Sequence, residues 1–146
     1  RAGGSGAAAG RGGRVAGVGR TGVGLADMGA FAGAMYDYHA AHPELGRLLQ
    51  WEGLQAGPPA DAAVRTTHYR EKVARVATAQ RDGLLDRDLD PAHLVFALIA
   101  LAAWWQTVPQ LAEMITGAGP HDQRERAARR RFVVEAARRI ASPSRM

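Results

Sequence analysis

The fold of this chain is decided by residues 35–54, which read Met-Tyr-Asp-Tyr-His-Ala-Ala-His-Pro-Glu-Leu-Gly-Arg-Leu-Leu-Gln-Trp-Glu-Gly-Leu. His42 precedes Pro43, and a residue before proline is pushed out of the α region, so a first helix is predicted to stop near Ala41. Pro43 suits the first position of a second helix, and Glu44 places an anion at the positive end of that helix. The stretch therefore predicts two packed helices joined by a tight corner.

Outward from this corner the apolar spacing remains helical, and no strand pattern or internal repeat occurs. In the third predicted helix, Thr66, Tyr69 and Val76 belong to the inner face. The fourth is apolar on all sides, so it has to be buried on more than one side. The first three predicted helices run from Asp27 to Ala41, from Pro43 to about Gly57, and from Asp61 to Gly83. The fourth runs from Pro91 to about Val108, where Pro109 predicts a kink or break before the chain continues helically to Gly117. The last runs from Asp122 to Ala141.

Tyr-Asp-Tyr with His-Pro-Glu-Leu, followed by Leu-Leu-Gln-Trp-Glu and this order of helices, resembles the C-terminal half of TetR-family transcriptional repressors. The resemblance covers roughly residues 27–143. It implies an all-α, antiparallel helical bundle that binds a small effector and forms a homodimer. We expect residues 1–24 to be a disordered Gly/Arg-rich segment, residues 25–143 to be the effector-binding and dimerisation domain, and residues 144–146 to be a tail.

The family's DNA-binding half has no counterpart in the sequence pattern. Family members carry a helix-turn-helix domain before the ligand-binding core, whereas ten of the first 24 residues here are glycine. Glycine at this density predicts disorder, and a Gly-x-Gly-x-x-Gly match at Gly17, Gly19 and Gly22 lacks the strand of a dinucleotide site. Operator DNA is therefore expected to be bound only through an N-terminal domain that is missing from this chain.

The net charge of +5 combines three segments of different sign. Residues 1–24 hold four arginines and no acid, while residues 25–120 hold seven basic and eleven acidic residues. Residues 121–146 hold eight basic and three acidic residues. The predicted core is therefore acidic, and the positive charge lies at the two ends of the chain.

Composition permits one domain and argues against several classes of protein. A chain of 146 residues with 47% hydrophobic side chains can bury a core. Cysteine is absent, and the longest apolar run, residues 94–105, is shorter than the ~20 residues of a membrane span. Serine occurs only at Ser5, Ser142 and Ser144, in the tails, and no metal-ligand spacing is present. We expect a cytoplasmic protein that is not an enzyme, with no metal, cofactor or membrane segment.

Glu52 is a charged residue on an apolar helix face. It follows Leu48 by four residues and Leu49 by three, so it shares their face. Either an internal partner such as Arg70 neutralises the carboxylate, or the carboxylate serves as a counter-charge for a ligand.

An effector cavity is predicted among the first four helices. Its expected lining supplies rings, phenols and one carboxylate, as ligand sites commonly do, and comprises Tyr38, Trp51, Glu52, Tyr69, Leu98 and Trp105. The acidic balance of residues 25–120 and the lack of basic residues on the proposed inner faces favour a small lipophilic effector, neutral or cationic, over an anion. His39 and His42 are expected to be partly exposed at a helix end, and His68 is expected on a helix surface.

A homodimer interface is predicted on the last two long helices. Trp104 and Trp105 are neighbours whose side chains point about 100° apart, so they have to serve different surfaces. Packing in the core explains one of the two tryptophans. The other tryptophan requires a second buried surface, either a cavity or a second subunit. The expected interface residues are Phe96, Ala100, Ala103, Trp104, Phe132, Val133, Ala136, Ala137 and Ile140.

Two other functions stay open at this point. One is a helical protein-interaction domain without a small-molecule ligand. The other is a basic nucleic-acid-binding module that uses the arginines of the last helix. A melting temperature that rises with a small molecule would favour the effector-binding domain, and polyanion binding with steep salt dependence would favour the nucleic-acid-binding module.

Overall fold

The computed structural model describes residues 27–144, so the predicted disordered segment 1–24 lies outside the described residues, as do the last two residues of the tail. The described part consists of six α-helices and contains no strand. The all-α fold predicted from the sequence is confirmed. The helices are α1 Met28–Ala41, α2 Pro43–Leu54, α3 Ala62–Arg81, α4 Pro91–Thr107, α5 Pro109–Thr116 and α6 Gln123–Ala141.

Two sharp corners in the chain share one backbone geometry. His42, before Pro43, has φ −128° and ψ 64°, and Val108, before Pro109, has φ −131° and ψ 63°. In both cases the proline ring keeps the preceding residue out of the helical region. The break predicted at Pro109 is therefore confirmed, and α4 and α5 are bent by 86°.

Aspartates begin three of the helices as predicted. The carboxylate of Asp27 accepts a hydrogen bond from the Ala30 amide at 2.9 Å, and Asp90 and Asp122 cap α4 and α6 in the same way. Asp61 directly precedes α3, but its side chain makes no capping hydrogen bond. The predicted end of α2 near Gly57 is wrong, because α2 ends at Leu54.

The core is built around α1, which packs most extensively on α6 and α4. α1 and α6 approach closely because Gly29 and Gly33 face α6. A Cβ atom on Gly29 would lie 2.9 Å from the backbone oxygen of Val134. The buried apolar side chains that α1, α4 and α6 contribute to the core include Met28, Phe31, Ala32, Met35, Tyr36, Leu94, Val95, Leu98, Ala102, Val133 and Ala137.

Within residues 27–144, no single helix is long and apolar enough to cross a membrane. Together, α4 and α5 reach that length and composition, but only as a bent pair. The core explains part of the apolar character of α4, because Leu94, Val95 and Leu98 are buried there. Other apolar side chains of α4 face outward and form part of the site described next.

Candidate functional site

A small cavity of about 40 Å³ lies among α1, α2, α3 and α4, where the sequence predicted an effector site. Its volume suits a group of a few heavy atoms. Of the residues predicted to line it, Tyr38 and Tyr69 do so. The full lining is Met35, Tyr38, His39, Leu45, Leu49, Arg65, His68, Tyr69, Lys72 and Ile99.

The other predicted lining residues lie elsewhere. Trp51 is on the surface of α2 with 63% of its area exposed, and Leu98 is fully buried in the core. Trp105 lies outside this cavity and borders two larger surface grooves. The structure therefore brings together the two tyrosines of the predicted set and separates them from both tryptophans.

Glu52 is held by an ion pair beside the cavity. Nη1 of Arg65 donates to both carboxylate oxygens at 3.0 Å, and Nη2 donates to Oε2 at 2.7 Å. The interpretation of Glu52 as an internally neutralised carboxylate therefore holds, with Arg65 in place of Arg70. Both carboxylate oxygens accept hydrogen bonds from the guanidinium, so the charge of Glu52 is already neutralised by Arg65.

Lys72 is a buried cation that the sequence pattern did not place inside. Only 8% of its area is exposed, and its Nζ lies 5.8 Å from the centre of the Phe31 ring and 5.6 Å from that of Tyr69. Burial lowers the pKa of Lys72. The expectation that no basic residue lies on an inner face is wrong, because α3 is turned so that Lys72 is buried while Thr66 is exposed.

Two histidines also face the cavity. His39 is almost fully buried, and its pKa is lowered by burial and, to a smaller extent, by the neighbouring His42. Nε2 of His68 is buried without a hydrogen-bond partner. The expectation of a surface position is therefore wrong for His39. His68 and His42 are both half-buried, and His42 pairs with Glu44 at 3.2 Å.

The larger of the two grooves beside Trp105 is apolar. It has a volume of about 640 Å³ and lies between α4 and α5. On the α6 side, Phe132 meets Trp105 edge-on at 6.3 Å between ring centres, and we call the exposed apolar surface of α4, α5 and α6 the α4–α6 face. The exposed large side chains of this face are Phe96, Trp104, Leu111, Met114, Ile115, Phe132 and Ile140.

The predicted dimer residues divide between this face and the core. Ala100 is exposed and Ala136 is half-buried, so these two lie at the surface with Phe96, Trp104, Phe132 and Ile140. The assignment of Ala103, Val133 and Ala137 to the interface is wrong, because all three are buried inside their own subunit. The inner face of α6 runs through Arg129, Val133, Ala137 and Ala141.

A polar groove of about 600 Å³ lies on the other side of Trp105. Arg129 forms one wall, with its guanidinium 5.2 Å from the centre of the Trp105 ring and its Nε donating to Glu125 at 2.9 Å. Oε1 of Gln106 is buried there without a hydrogen-bond partner. In the described part of the chain, no three histidine or acidic side chains are placed to hold a metal ion.

Comparison with known proteins gives this arrangement a context. Residues 27–139 match the sequence profile of the family described as tetracyclin repressor-like, C-terminal domain. The HTH-type transcriptional repressor SCO4008 of Streptomyces coelicolor is 38% identical over an alignment of 112 residues, and the match covers 71% of this chain and 58% of that repressor. The chain thus spans less than two thirds of that relative's length.

A solved structure has the same fold. The crystal structure of SCO4942 from Streptomyces coelicolor, described as a candidate transcriptional regulator, matches with a TM-score of 0.69 and 28% sequence identity. The match covers 88% of this chain and 67% of that one. Since the family profile matches most of the chain and the helical bundle agrees with it, this chain belongs to the TetR family of transcriptional regulators and represents its C-terminal domain.

Proposed function

We propose that this chain is the effector-binding and dimerisation domain of a TetR-like repressor, in which a ligand controls DNA binding by a helix-turn-helix domain outside these residues. The α4–α6 face is the observation that carries the proposal. Large exposed apolar patches mark interaction surfaces, and this one lies on helices that the family uses for its dimer. Control of DNA binding would place the protein in the cytoplasm.

A second copy of the chain is the partner that this face fits best. A two-fold interface brings the same patch of each subunit together, so Phe96 and Trp104 would be covered by the same helices of the partner. The small side chain of Ala100 between them lets a neighbouring helix approach. Rings at the rim supply the area that dominates interface energetics.

The position of α4 suggests how a ligand acts on the dimer. Ile99 of α4 lines the small cavity, and the adjacent residue Ala100 lies on the α4–α6 face. One helix therefore separates the cavity from the proposed interface. A ligand that shifts α4 would change the angle between two subunits and hence the spacing of their DNA-binding domains.

The alternative of a nucleic-acid-binding module is disfavoured by how the arginines of α6 are used. Arg130 pairs with Asp37 at 2.8 Å, and Arg138 pairs with Asp27 at 3.4 Å. These two ion pairs fasten α6 to α1. Arg129 and Arg139 pair within α6. Most of the charge that would attract phosphate is thus engaged inside the subunit.

Sedimentation and a ligand screen test the proposal. At micromolar concentration the chain should sediment as a dimer, and some small molecules should raise its melting temperature by preferential binding to the folded state. A stable monomer would contradict the dimerisation half. A dimer that no small molecule stabilises would instead favour a protein-interaction domain without a ligand.

A further inference from the structure

Lys72 is the only lysine of the chain, and the other 18 of the 19 basic residues are arginines. It lies on α3 against the small cavity, with 8% of its area exposed. Within residues 27–144 its ammonium has no carboxylate partner and lies over the faces of the Phe31 and Tyr69 rings. A buried charge is normally paired with an opposite one, so this position lacks its counter-charge.

The neighbouring groups do not supply one. Glu52 lies beside the cavity, but Arg65 binds both of its oxygens. The other titratable groups in the lining are Arg65, which pairs with Glu52, two histidines and two tyrosines, and none of these is a carboxylate. Among the residues that the structure describes, no acidic side chain lines the cavity. Its electrostatic character is therefore positive, opposite to the overall balance of residues 25–120.

His68 provides an independent observation. Its Nε2 is buried at the cavity and has no hydrogen-bond partner among residues 27–144, and a buried polar atom left unsatisfied is destabilising. An acceptor bound in the cavity would satisfy this nitrogen in the tautomer that carries the proton on Nε2. Lys72 and His68 occupy positions four apart on α3, so they face the same side of the helix.

We propose that the cavity binds a small organic anion, a carboxylate on a short apolar body, whose oxygens accept hydrogen bonds from Lys72 and His68. The inference rests on the effector-binding function proposed above and specifies the chemical class of the effector. A volume of about 40 Å³ accommodates the carboxylate. The apolar body extends past Leu49 and Tyr69, which are partly exposed at the rim.

The proposal reverses the charge expected from the sequence. That expectation was based on the acidic balance of residues 25–120 and on inner faces without basic residues, with Glu52 as one candidate counter-charge for a cation. Glu52 is occupied by Arg65, and Lys72 is buried at the cavity. A cation in the cavity would meet the ammonium of Lys72 without a compensating carboxylate. An anion would gain a charge-assisted hydrogen bond, the stronger kind.

The single lysine makes a direct test possible. Protein grown with lysine that carries ¹³C only at Cε gives a single labelled carbon, Cε of Lys72, whose signal can be followed while benzoate, benzamide or benzylamine is added. These probes have similar size and differ in charge. We expect benzoate to move the Lys72 signal and raise the melting temperature, and we expect benzamide and benzylamine to do neither at the same concentration.

A pair of variants locates the effect. Lys72→Met keeps an unbranched side chain and should weaken benzoate binding by about tenfold or more. Arg75→Met removes an equal charge from the exposed side of α3 and should leave the affinity unchanged. Should Lys72→Met fail to fold, the probe comparison on the wild-type signal still decides the question.

Three outcomes would overturn the proposal. Benzamide or benzylamine binding as tightly as benzoate, with the Lys72 signal shifted, would keep a ligand-binding domain and refute the anion. Benzoate binding that persists in Lys72→Met would place the anion elsewhere, for instance in the polar groove beside Arg129. If no probe moves the Lys72 signal, the anion is refuted, while dimerisation and the broader ligand screen retain their own tests.

Discussion

At the scale of single residues, the ion pair between Arg65 and Glu52 is a specific link between α2 and α3. Glu52→Gln would leave the guanidinium without its carboxylate. Because the two side chains are 16% and 22% exposed, solvent screens part of the effect. We expect a decrease of about 1–3 kcal/mol in the free energy of unfolding, less than for a fully buried pair.

Urea unfolding measures this change. Glu71→Gln is the matched control, because Glu71 lies on the exposed side of α3 and makes no ion pair shorter than 4.0 Å in the described part of the chain. Its unfolding free energy should stay within about 0.5 kcal/mol of the wild type. Equal effects of the two substitutions would mean that the Arg65–Glu52 pair contributes nothing specific.

His39 makes stability depend on pH. In the folded state its pKa lies below the ordinary value of 6.5. Burial is the larger cause, and the neighbouring His42 is the smaller one. The unfolded chain therefore binds more protons, and stability falls as pH decreases through 6.5 towards the lower folded-state value. The decrease is at most about 1.4 kcal/mol per pH unit from this one group.

The measurement compares urea unfolding of the wild type and His39→Leu at about pH 7.5 and about pH 5.5. In this range histidines change their protonation more than carboxylates do, because the ordinary pKa values of carboxylates are about 4. The wild type should lose more stability than the variant on acidification. The same loss in both proteins would show that His39 is not the responsible group.

The residues of the cavity could be predicted only in part. Tyr38 and Tyr69 were found because rings on adjacent helix faces suggest a ligand site. Lys72 was missed for two reasons. The apolar spacing of Thr66, Tyr69 and Val76 determines the rotation of α3 only to within about one residue. In addition, the long aliphatic stem of lysine lets it enter an apolar region. Its being the only lysine was the one signal that could have singled it out.

At the scale of helices, local sterics made most boundaries predictable. Proline at 43 and 109 acts on the preceding residue whatever the tertiary structure, and Asp27, Asp90 and Asp122 cap through their own side chains. The end of α2 has no such signal. Leu54 is 80% exposed, so no packing holds the last turn together, and helices in proteins depend on packing for most of their stability.

Two glycines in helices offer a test of how closely α1 and α6 approach. Gly29→Ala would place a methyl group 2.9 Å from the Val134 carbonyl oxygen, which belongs to the α6 backbone and cannot swing aside. Overpacking of this kind costs about 1–3 kcal/mol, which exceeds the gain of about 0.5–1 kcal/mol from replacing a helical glycine. We expect net destabilisation.

Gly53→Ala is the control for this prediction. Gly53 lies in α2, and a Cβ atom there would meet nothing within 4 Å. The substitution should therefore stabilise the protein by about 0.5–1 kcal/mol through helix propensity alone. Opposite signs in the two melting curves support the close approach, whereas stabilisation by both would show that α1 and α6 are further apart.

At the scale of the whole molecule, the fold class followed from the sequence, while the division of surfaces did not. An α4 that is apolar on every side indicates two burial environments, but it does not say which residue faces which. Val133 and Ala137 share the apolar stripe of α6 with Phe132 and Ile140. Only the rotation of α6 against α1 puts the first two in the core and leaves the others exposed.

The assembly prediction follows from that division. Phe96 and Val64 are 75% and 74% exposed, so replacing either by glutamate should leave the fold of one subunit intact. Only Phe96 lies on the α4–α6 face, where a partner subunit would bury the new carboxylate without a counter-charge. Phe96→Glu should therefore sediment as a monomer with unchanged helical circular dichroism, whereas Val64→Glu should remain a dimer. Dissociation by both or by neither would place the interface elsewhere.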